Sequence, residues 1–314
     1  MNILLSGQWD DAEHDAWAAA LRAGLAPQDQ LVLQRDATMD ALIDVAVVAN
    51  PPPGALAGLP RLRLIQSLWA GVDRLLADHS LPHGVPLARM VDPVMNAAMA
   101  ETALWAVLSL QRGYFDYAQQ QRDGVWRALP QRRAPETPVL VLGAGQMGQA
   151  AARSIAAAGF PVTVWRSAAG SWCEPGIGVI HGDPALCSAA AQARVVINLL
   201  PLTATTHGLL GAPLFSMLRR GTSLVNLARG AHLVERDLLE ALASGHIDRA
   251  VLDVFASEPL PRAHAFWTHP RITVLPHVAA LTDLRSASAV VRRNLDALRC
   301  GAALAHLVDR GRGY

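Results

Sequence analysis

Four charged side chains in the second half of the sequence have types and positions suited to acid–base chemistry: Arg229, Asp253, Glu258 and His277. Three of them, Arg229, Asp253 and His277, lie at or just after the end of a short apolar run, where open α/β sheets bind their ligands. An arginine can bind a carboxylate, a histidine can exchange a proton, and a carboxylate can hold that histidine charged. Singly, Arg229 could be a surface charge and His277 a satisfied polar residue. Together they predict catalysis on a small anionic substrate.

A glycine-rich turn precedes these residues and has the spacing GxGxxG. It follows the apolar run Val139 to Leu142 and opens a helix predicted to run to about Ala158. In that context one glycine makes a tight turn, one lets the backbone approach a pyrophosphate, and one lets helix and strand pack closely. The helix N-terminus adds unpaired N–H groups. We therefore predict a dinucleotide at this turn, with a merely structural turn as the alternative; the residues concerned are Gly143, Gly145, Gln146, Met147 and Gly148.

The strand that follows this helix ends at Val164 to Ser167, and its last residues indicate which dinucleotide is bound. Sites for NAD usually place an acid there, to bind the ribose 2′-hydroxyl. This chain has Arg166 followed by Ser167. A guanidinium can make charge-assisted hydrogen bonds to a 2′-phosphate, whereas a carboxylate would repel it. The pair favours NADP(H), with NAD(H) possible if Arg166 points to solvent.

The composition excludes several functions. All 27 basic residues are arginine, so the 314-residue chain has no lysine for a Schiff base, a lysine general base or a phosphate-binding GxxxxGK[ST] loop. A net charge of +1 lacks the basic excess expected of a nucleic-acid-binding protein. Three widely spaced cysteines favour reduced thiols and no metal site. The N-terminus has neither the cationic start nor the long apolar core of a signal peptide, so we expect a soluble cytoplasmic protein without membrane partners.

Short apolar runs alternate with amphipathic stretches along most of the chain, which predicts parallel sheets covered by helices. The runs form two blocks, one before and one after the long helix predicted over Asn96 to Asp123. In the first block we predict strands at Asn2 to Ser6, Leu31 to Gln34, Val45 to Ala49, Leu62 to Ser67 and Val85 to Met90. In the second, strands are predicted at Val139 to Leu142, Val195 to Leu199, Ser223 to Leu227, Val251 to Val254 and Ile272 to Leu275. A last helix is predicted from Leu284 to Ala303.

Three segments around the charged residues resemble, in order, the signature segments of D-2-hydroxyacid dehydrogenases. They are Leu224 to Gly230, Leu252 to Pro259 and Leu275 to His277. Leu199 to Leu210 resembles the cofactor-side loop of the family, and Gln66 to Asp73 its substrate loop. The resemblance spans the whole chain. The tracts Trp69 to Asp73 and Tyr114 to Gln121 are most similar to the glyoxylate/hydroxypyruvate reductase A branch, which favours NADPH.

The resemblance implies a fold and a set of roles. It implies two doubly wound parallel-sheet α/β domains, with a Rossmann cofactor domain at 99–283 inserted into a flavodoxin-like substrate domain made of 1–98 and 284–314. The site would lie in the cleft between them, and the family generally forms homodimers through the cofactor domain. The implied catalytic residues are Arg229 to bind the 2-keto acid, His277 as acid/base and Glu258 as its partner. Further implied contacts are Asp253, Pro201 and Ala228 with the cofactor, and Trp69, Ala70 and Gly71 with the substrate, although Trp69 could equally be a core residue.

Two positions depart from the family pattern. Thr102 stands where an aromatic or histidine is usual, so we expect the hinge to pack differently. Ala49-Asn50-Pro51 lacks the bulky aromatic side chain of the branch, which leaves the substrate open among small 2-keto acids. Two rival enzyme classes, the β-hydroxyacid and short-chain dehydrogenases, share the glycine turn but use a catalytic lysine, which this chain lacks. Formate dehydrogenases would have a glutamine in place of Glu258. A non-catalytic, dinucleotide-sensing binding protein of the corepressor type remains an alternative, because such proteins keep the same charged set.

Overall fold

The computed structural model describes all 314 residues. Its twelve strands are β1 Asn2–Gly7, β2 Gln30–Val32, β3 Ile43–Ala49, β4 Leu64–Ser67, β5 Leu87–Ala88, β6 Val139–Leu142, β7 Val162–Arg166, β8 Ile177–His181, β9 Val195–Asn198, β10 Thr222–Asn226, β11 Ile247–Leu252 and β12 Ile272–Val274. Its ten α-helices are α1 Asp11–Arg22, α2 Ala37–Asp40, α3 Asp73–Leu76, α4 Pro93–Arg112, α5 Tyr114–Arg122, α6 Gln146–Ala157, α7 Asp183–Ala190, α8 Ala212–Met217, α9 Glu235–Ala243 and α10 Leu284–Cys300. Short 3₁₀ turns lie at Ala134–Glu136, Gly230–His232 and Ala265–Trp267.

The chain divides into two compact units. Unit 1 comprises Met1–Met95 and Thr282–Tyr314, and unit 2 comprises Asn96–Leu281. Unit 1 therefore contains β1 to β5 and α10, whereas unit 2 contains β6 to β12. Because the C-terminal helix α10 belongs to the same unit as the N-terminal strands, unit 2 is inserted within unit 1 in the sequence.

Unit 1 is built on a five-stranded parallel sheet in the order β2-β1-β3-β4-β5. Every residue of the central strand β3 is buried, as expected for a parallel sheet covered on both faces. Helix α1 begins at the N-cap Asp10, whose carboxylate accepts the N–H of Glu13, and it buries Trp17 and Leu21. In α10, the buried Asn294 donates to the side chain of Gln66 in β4 and so connects the C-terminal helix to the sheet.

Unit 2 is built on a seven-stranded parallel sheet in the order β12-β11-β10-β9-β6-β7-β8. The chain first adds strands on one side of β6, then crosses to β9 and adds the rest on the other side. The carboxyl ends of β6 and β9 therefore flank a crevice of the kind that binds ligands in doubly wound sheets. Apolar clusters cover both faces of the sheet. The predicted fold class, two doubly wound parallel-sheet domains, is confirmed.

The structure differs from the predicted secondary structure of unit 2 in two ways. The helix predicted over Asn96 to Asp123 is two helices, because Gly113 adopts a left-handed conformation (φ +70°) that ends α4 and starts α5. Strand β8 and helix α7 were not predicted. Of the five residues of β8 only Ile177 is buried, so the strand lacks a strong apolar signal.

Helix α4 is long and apolar enough to cross a membrane by length and composition, a property that core helices of soluble proteins share. Its apolar character has a local explanation. Met99, Ala103, Ala106 and Val107 are buried in the core of unit 2, against residues of the sheet. The hydroxyl of Thr102 on this helix donates to the carbonyl of Ala279.

Candidate active site

Strand register brings the predicted charged residues of unit 2 to one edge of its sheet. Asn226 of β10 is paired with Leu252 of β11, and Leu252 is paired with Val274 of β12. Arg229 lies three residues beyond the first of these positions, Asp253 one residue beyond the second, and His277 three beyond the third. Their side chains therefore belong to adjacent loops at the carboxyl edge of the sheet.

His277 and Glu258 form a hydrogen-bonded pair. The Nδ1 atom of His277 lies 2.8 Å from Oε2 of Glu258, and the other carboxylate oxygen accepts the N–H of Phe255 at 2.9 Å. Because an ionised carboxylate can only accept, the proton of a neutral ring is held at Nδ1. This leaves Nε2, which has no hydrogen-bond partner within the chain, as the nitrogen that can exchange a proton with a ligand. The side chain of His277 is 50% exposed, so a ligand can reach it.

Opposing effects act on the pKa of Glu258. Burial by itself would raise the pKa, but the hydrogen bonds from His277 and from the N–H of Phe255, with the charges of His277 and Arg229, outweigh it. The pKa of Glu258 is therefore held below its ordinary value. Its carboxylate is therefore ionised at neutral pH and can stabilise a protonated His277.

Asp253 is a clamp for the turn that carries His277. Its two carboxylate oxygens accept the N–H groups of Val278 at 2.8 Å and Ala279 at 3.0 Å, and its carbonyl accepts the N–H of His277 at 2.9 Å. The side chain is almost completely buried, and burial raises its pKa despite the two N–H donors. His277 itself has a positive φ of 57°, which is uncommon for a residue with a side chain. The three hydrogen bonds that Asp253 accepts from residues 277–279 hold the backbone in that conformation.

Gly230 allows the Arg229 loop to approach the loop that carries Glu258. A Cβ atom at Gly230 would lie 1.8 Å from the carbonyl carbon of Phe255, which is closer than any side chain tolerates. Phe255 is also the residue whose N–H binds Glu258. A side chain at Gly230 would therefore displace the backbone on which the His277–Glu258 pair depends.

The glycine turn has the shape required for a dinucleotide. Gly143 has φ +114°, and a Cβ atom there would lie 2.7 Å from the carbonyl oxygen of Leu199 in the loop after β9. A Cβ atom at Gly148 would lie 2.0 Å from the carbonyl oxygen of Gly143. At Gly145 a Cβ atom would meet nothing within 4 Å. Two glycines thus serve internal packing, whereas the third faces open space at the N-terminus of α6, where the residues present fit a pyrophosphate.

Arg166 ends β7, the strand next to the one that leads into the glycine turn. Its guanidinium lies against Gly170, where a Cβ atom would be 1.9 Å from Nη2. Ser167 is exposed. Pro201 follows β9 and Ala228 follows β10, so both are in loops at the same edge of the sheet as the glycine turn.

The three predicted substrate contacts of unit 1 follow β4. The N–H of Trp69 donates to the hydroxyl oxygen of Ser67, and its carbonyl accepts the N–H of Met90. Its ring packs edge-on against Trp17, with 6.2 Å between ring centroids. Trp69, Ala70 and Gly71 are all partly exposed. Their contact with a substrate stays a prediction.

Sequence reasoning missed the polar residues beneath these loops. Asn198 and Asn226 end adjacent strands and are fully buried, with the amide of Asn198 donating to the side-chain oxygen of Asn226 at 3.0 Å. His232 is also fully buried and lies three residues after Arg229. The signal was present as two asparagines at the ends of apolar runs. Their pairing depends on strand order, which the sequence does not state.

The family of the chain follows from a comparison of its sequence with family models. The model of the D-isomer specific 2-hydroxyacid dehydrogenase NAD binding domain matches residues 104–279. The chain belongs to this family. It is accordingly an NAD(P)-dependent enzyme, and the matched range contains the glycine turn and all four charged residues of the candidate site.

Relatives of this dehydrogenase match it along the whole chain. The glyoxylate/hydroxypyruvate reductase A of Serratia proteamaculans is 39% identical over 319 residues, covering 100% of both chains. A D-isomer specific 2-hydroxyacid dehydrogenase from Xanthobacter autotrophicus Py2, solved in complex with NADPH and MES, is 35% identical with a TM-score of 0.91 and covers 99% of each chain. The NADPH-dependent glyoxylate/hydroxypyruvate reductase of Sinorhizobium meliloti, solved with NADP and sulfate, is 33% identical with a TM-score of 0.90, over 100% of this chain and 99% of that chain.

The glycine turn yields a paired prediction. Gly148→Ala must displace backbone, so we expect a lower thermal midpoint, by several degrees or more, together with weaker dinucleotide binding. Gly145→Ala adds a methyl group to open space at an ordinary φ of −71°. It should keep the thermal midpoint within about 1 °C of the parent and weaken dinucleotide binding by about tenfold or more, because the backbone can no longer approach the pyrophosphate.

Differential scanning fluorimetry and titration with NADPH measure the two quantities. Parental affinity in Gly145→Ala would contradict the assignment of this turn to the dinucleotide. An unchanged midpoint in Gly148→Ala would contradict the packing argument.

Proposed function

We propose that this dehydrogenase reduces small 2-keto acids, glyoxylate and hydroxypyruvate above all, with NADPH. The observation that carries the proposal is the 2.8 Å pair of His277 and Glu258, which lies at the carboxyl edge of a dinucleotide-binding sheet together with Arg229. The names of the full-length relatives support the choice of substrates. Bound NADPH would supply a hydride to the keto carbon.

Arg229 binds the substrate, and His277 supplies the proton. The guanidinium of Arg229 binds the substrate acid and polarises the keto group, because it can offer two parallel N–H donors. The Nε2 atom of a protonated His277 donates a proton to the oxygen that becomes the hydroxyl. Glu258 accepts from Nδ1 and stabilises the imidazolium before transfer. Asp253 fixes the turn on which His277 lies, and it is our candidate for contact with the carboxamide of the nicotinamide.

Cofactor preference is assigned to Arg166 and Ser167. The enzyme uses NADP(H) in preference to NAD(H), as the NADPH and NADP complexes of its structural relatives support. Arg166 would bind the 2′-phosphate as a permanently charged donor, and the exposed hydroxyl of Ser167 would add a hydrogen bond. The sequence has arginine at position 166, where an acidic residue would repel the 2′-phosphate.

Replacing His277 tests the proposed mechanism. We expect NADPH oxidation with glyoxylate and hydroxypyruvate, and slower oxidation with pyruvate and phenylpyruvate. His277→Asn should lower kcat by about 10²- to 10⁴-fold, because the proton donor is lost, with NADPH affinity within about twofold of the parent. Stopped-flow or steady-state absorbance at 340 nm gives the rates, and fluorescence titration gives the affinity.

The chain offers a matched control. His264 also pairs with a glutamate, Glu235, at 3.1 Å in the same unit, but it lies outside the proposed site. His264→Asn should keep most of the turnover. Near-parental turnover in His277→Asn would overturn its role, and no oxidation with any of the four acids would favour the non-catalytic binding protein.

Arg166→Gln tests the cofactor assignment. We expect the KM for NADPH to rise about tenfold or more and the KM for NADH to change by less than about twofold, since only the 2′-phosphate contact is lost. Arg219→Gln is the control, because this exposed arginine precedes β10 and so lies at the opposite edge of the sheet. Parental preference for NADPH in Arg166→Gln, or faster turnover with NADH in the parent, would refute the assignment.

We also propose a cytoplasmic homodimer that forms through the tract from Trp105 to Trp126. Large apolar side chains are exposed along this tract, and Trp126 has no contact that covers it; the set is Trp105, Leu108, Tyr114, Val125 and Trp126. Burial of such a patch against a second copy would remove it from water. All three cysteines are free thiols, in keeping with a reducing compartment.

Light scattering tests the dimer. The parent should have twice the mass of the chain, and Trp126→Glu should shift it toward the chain mass, because a carboxylate would be buried in the interface. Trp267→Glu places the same charge at another exposed tryptophan and should leave the mass unchanged. A monomeric parent, or a dimer that survives Trp126→Glu, would contradict this interface.

A further inference from the structure

His232 lies between two loops of the candidate site, and each of its ring nitrogens faces a carbonyl oxygen of one loop. Its Nδ1 atom lies 3.1 Å from the carbonyl oxygen of Arg229, and its Nε2 atom lies 3.2 Å from the carbonyl oxygen of Pro201. The side chain is completely buried. Carbonyl oxygens only accept hydrogen bonds, so a neutral ring donates to one of the two, and a protonated ring donates to both.

The two carbonyls belong to segments with different tasks. Pro201 lies in the loop after β9, and this loop packs against the glycine turn, where Leu199 meets Gly143. Arg229 follows β10 and carries the proposed substrate anchor. Each carbonyl has one further side-chain donor, Thr206 at 2.7 Å for Pro201 and Asn226 at 3.0 Å for Arg229. Of these three side chains, His232 alone contacts both carbonyls.

The backbone around His232 strengthens the connection. Its carbonyl accepts the N–H of Leu210, and the carbonyl of Ala231 accepts the N–H of Gly208. The far end of the loop after β9 is thereby tied to the same 3₁₀ turn, Gly230–His232, that follows Arg229. A shift of this loop must therefore move the backbone at Arg229 or leave buried hydrogen-bonding groups unpaired, which is unfavourable.

We propose that His232 is a positioning residue that couples dinucleotide binding to the orientation of Arg229. This inference rests on the proposed function. When a dinucleotide binds against the loop after β9, the imidazole transmits the position of this loop to the carbonyl of Arg229, and the guanidinium is aligned for the 2-keto acid. A histidine that served only to satisfy buried groups would contribute stability but no coupling between the two ligands.

Binding of oxamate, a 2-keto acid analogue whose carbonyl is not reduced, measures this coupling. The dissociation constant of oxamate is determined by calorimetry with and without saturating NADP⁺, at one pH, for the full chain. In the parent we expect NADP⁺ to tighten oxamate binding by about fivefold or more. In His232→Leu the ratio should fall below about twofold, and in His232→Gln, which retains an amide donor, it should be partly restored.

Thr206→Val is the matched control. It removes a hydrogen bond to the same Pro201 carbonyl but leaves the His232 bridge in place. We expect it to keep the parental ratio even if both affinities fall. A merely structural role of His232 predicts that its variants lower both affinities and keep the ratio as well, so the ratio separates the two explanations.

The outcomes distinguish this inference from the proposed function. A parent that neither binds oxamate nor reduces a 2-keto acid would refute the function. A parent that reduces these acids but shows no effect of NADP⁺ on oxamate binding would leave the function intact and refute the coupling. Parental coupling in both His232 variants, or equal loss in Thr206→Val, would also overturn the role of His232. If His232→Leu does not fold, the decision rests on His232→Gln.

Discussion

The close approach of neighbouring loops at the carboxyl edge of the unit 2 sheet is the constraint on which the candidate site depends. The parallel strands all end at this edge, so the loops that follow them are crowded together. Glycine at positions 143 and 230 makes this close approach possible, because a Cβ atom at either position would overlap the backbone of a neighbouring loop. At Gly230 that backbone includes Phe255, whose N–H donates to Glu258, the partner of His277 at 2.8 Å.

Electrostatics then distinguishes two carboxylates that are five residues apart. Burial raises the pKa of Asp253, and its two N–H donors do not fully offset this. Glu258 is also desolvated, but the hydrogen bond from His277 and the nearby cations lower its pKa below the ordinary value. The first carboxylate accordingly shapes the backbone, whereas the second is suited to hold a charged imidazole. The two side chains carry the same carboxylate group, so their different roles come from their different surroundings.

Much of unit 2 could be predicted because its strands are short, apolar and followed by polar residues of a definite type. The position of Arg229, Asp253 and His277 at strand ends was readable, since the carboxyl ends of parallel strands share an edge. The break at Gly113 was not predicted, because a single glycine within a helical pattern is compatible with either a continuous helix or an end. Strand β8 was missed since only one of its five residues is buried and the strand carries little apolar periodicity.

The sequence by itself determined the family, the doubly wound fold class, the glycine turn and the absence of any lysine chemistry. These are local properties, because residue types and their spacing can be read along the chain without knowing how distant segments pack. Only the tertiary structure decided that Gly230 must be glycine, that Asp253 clamps the turn of His277, and that His232 spans two loops. Each of these depends on the distance between segments far apart in the chain, and the order of strands in the sheet sets that distance.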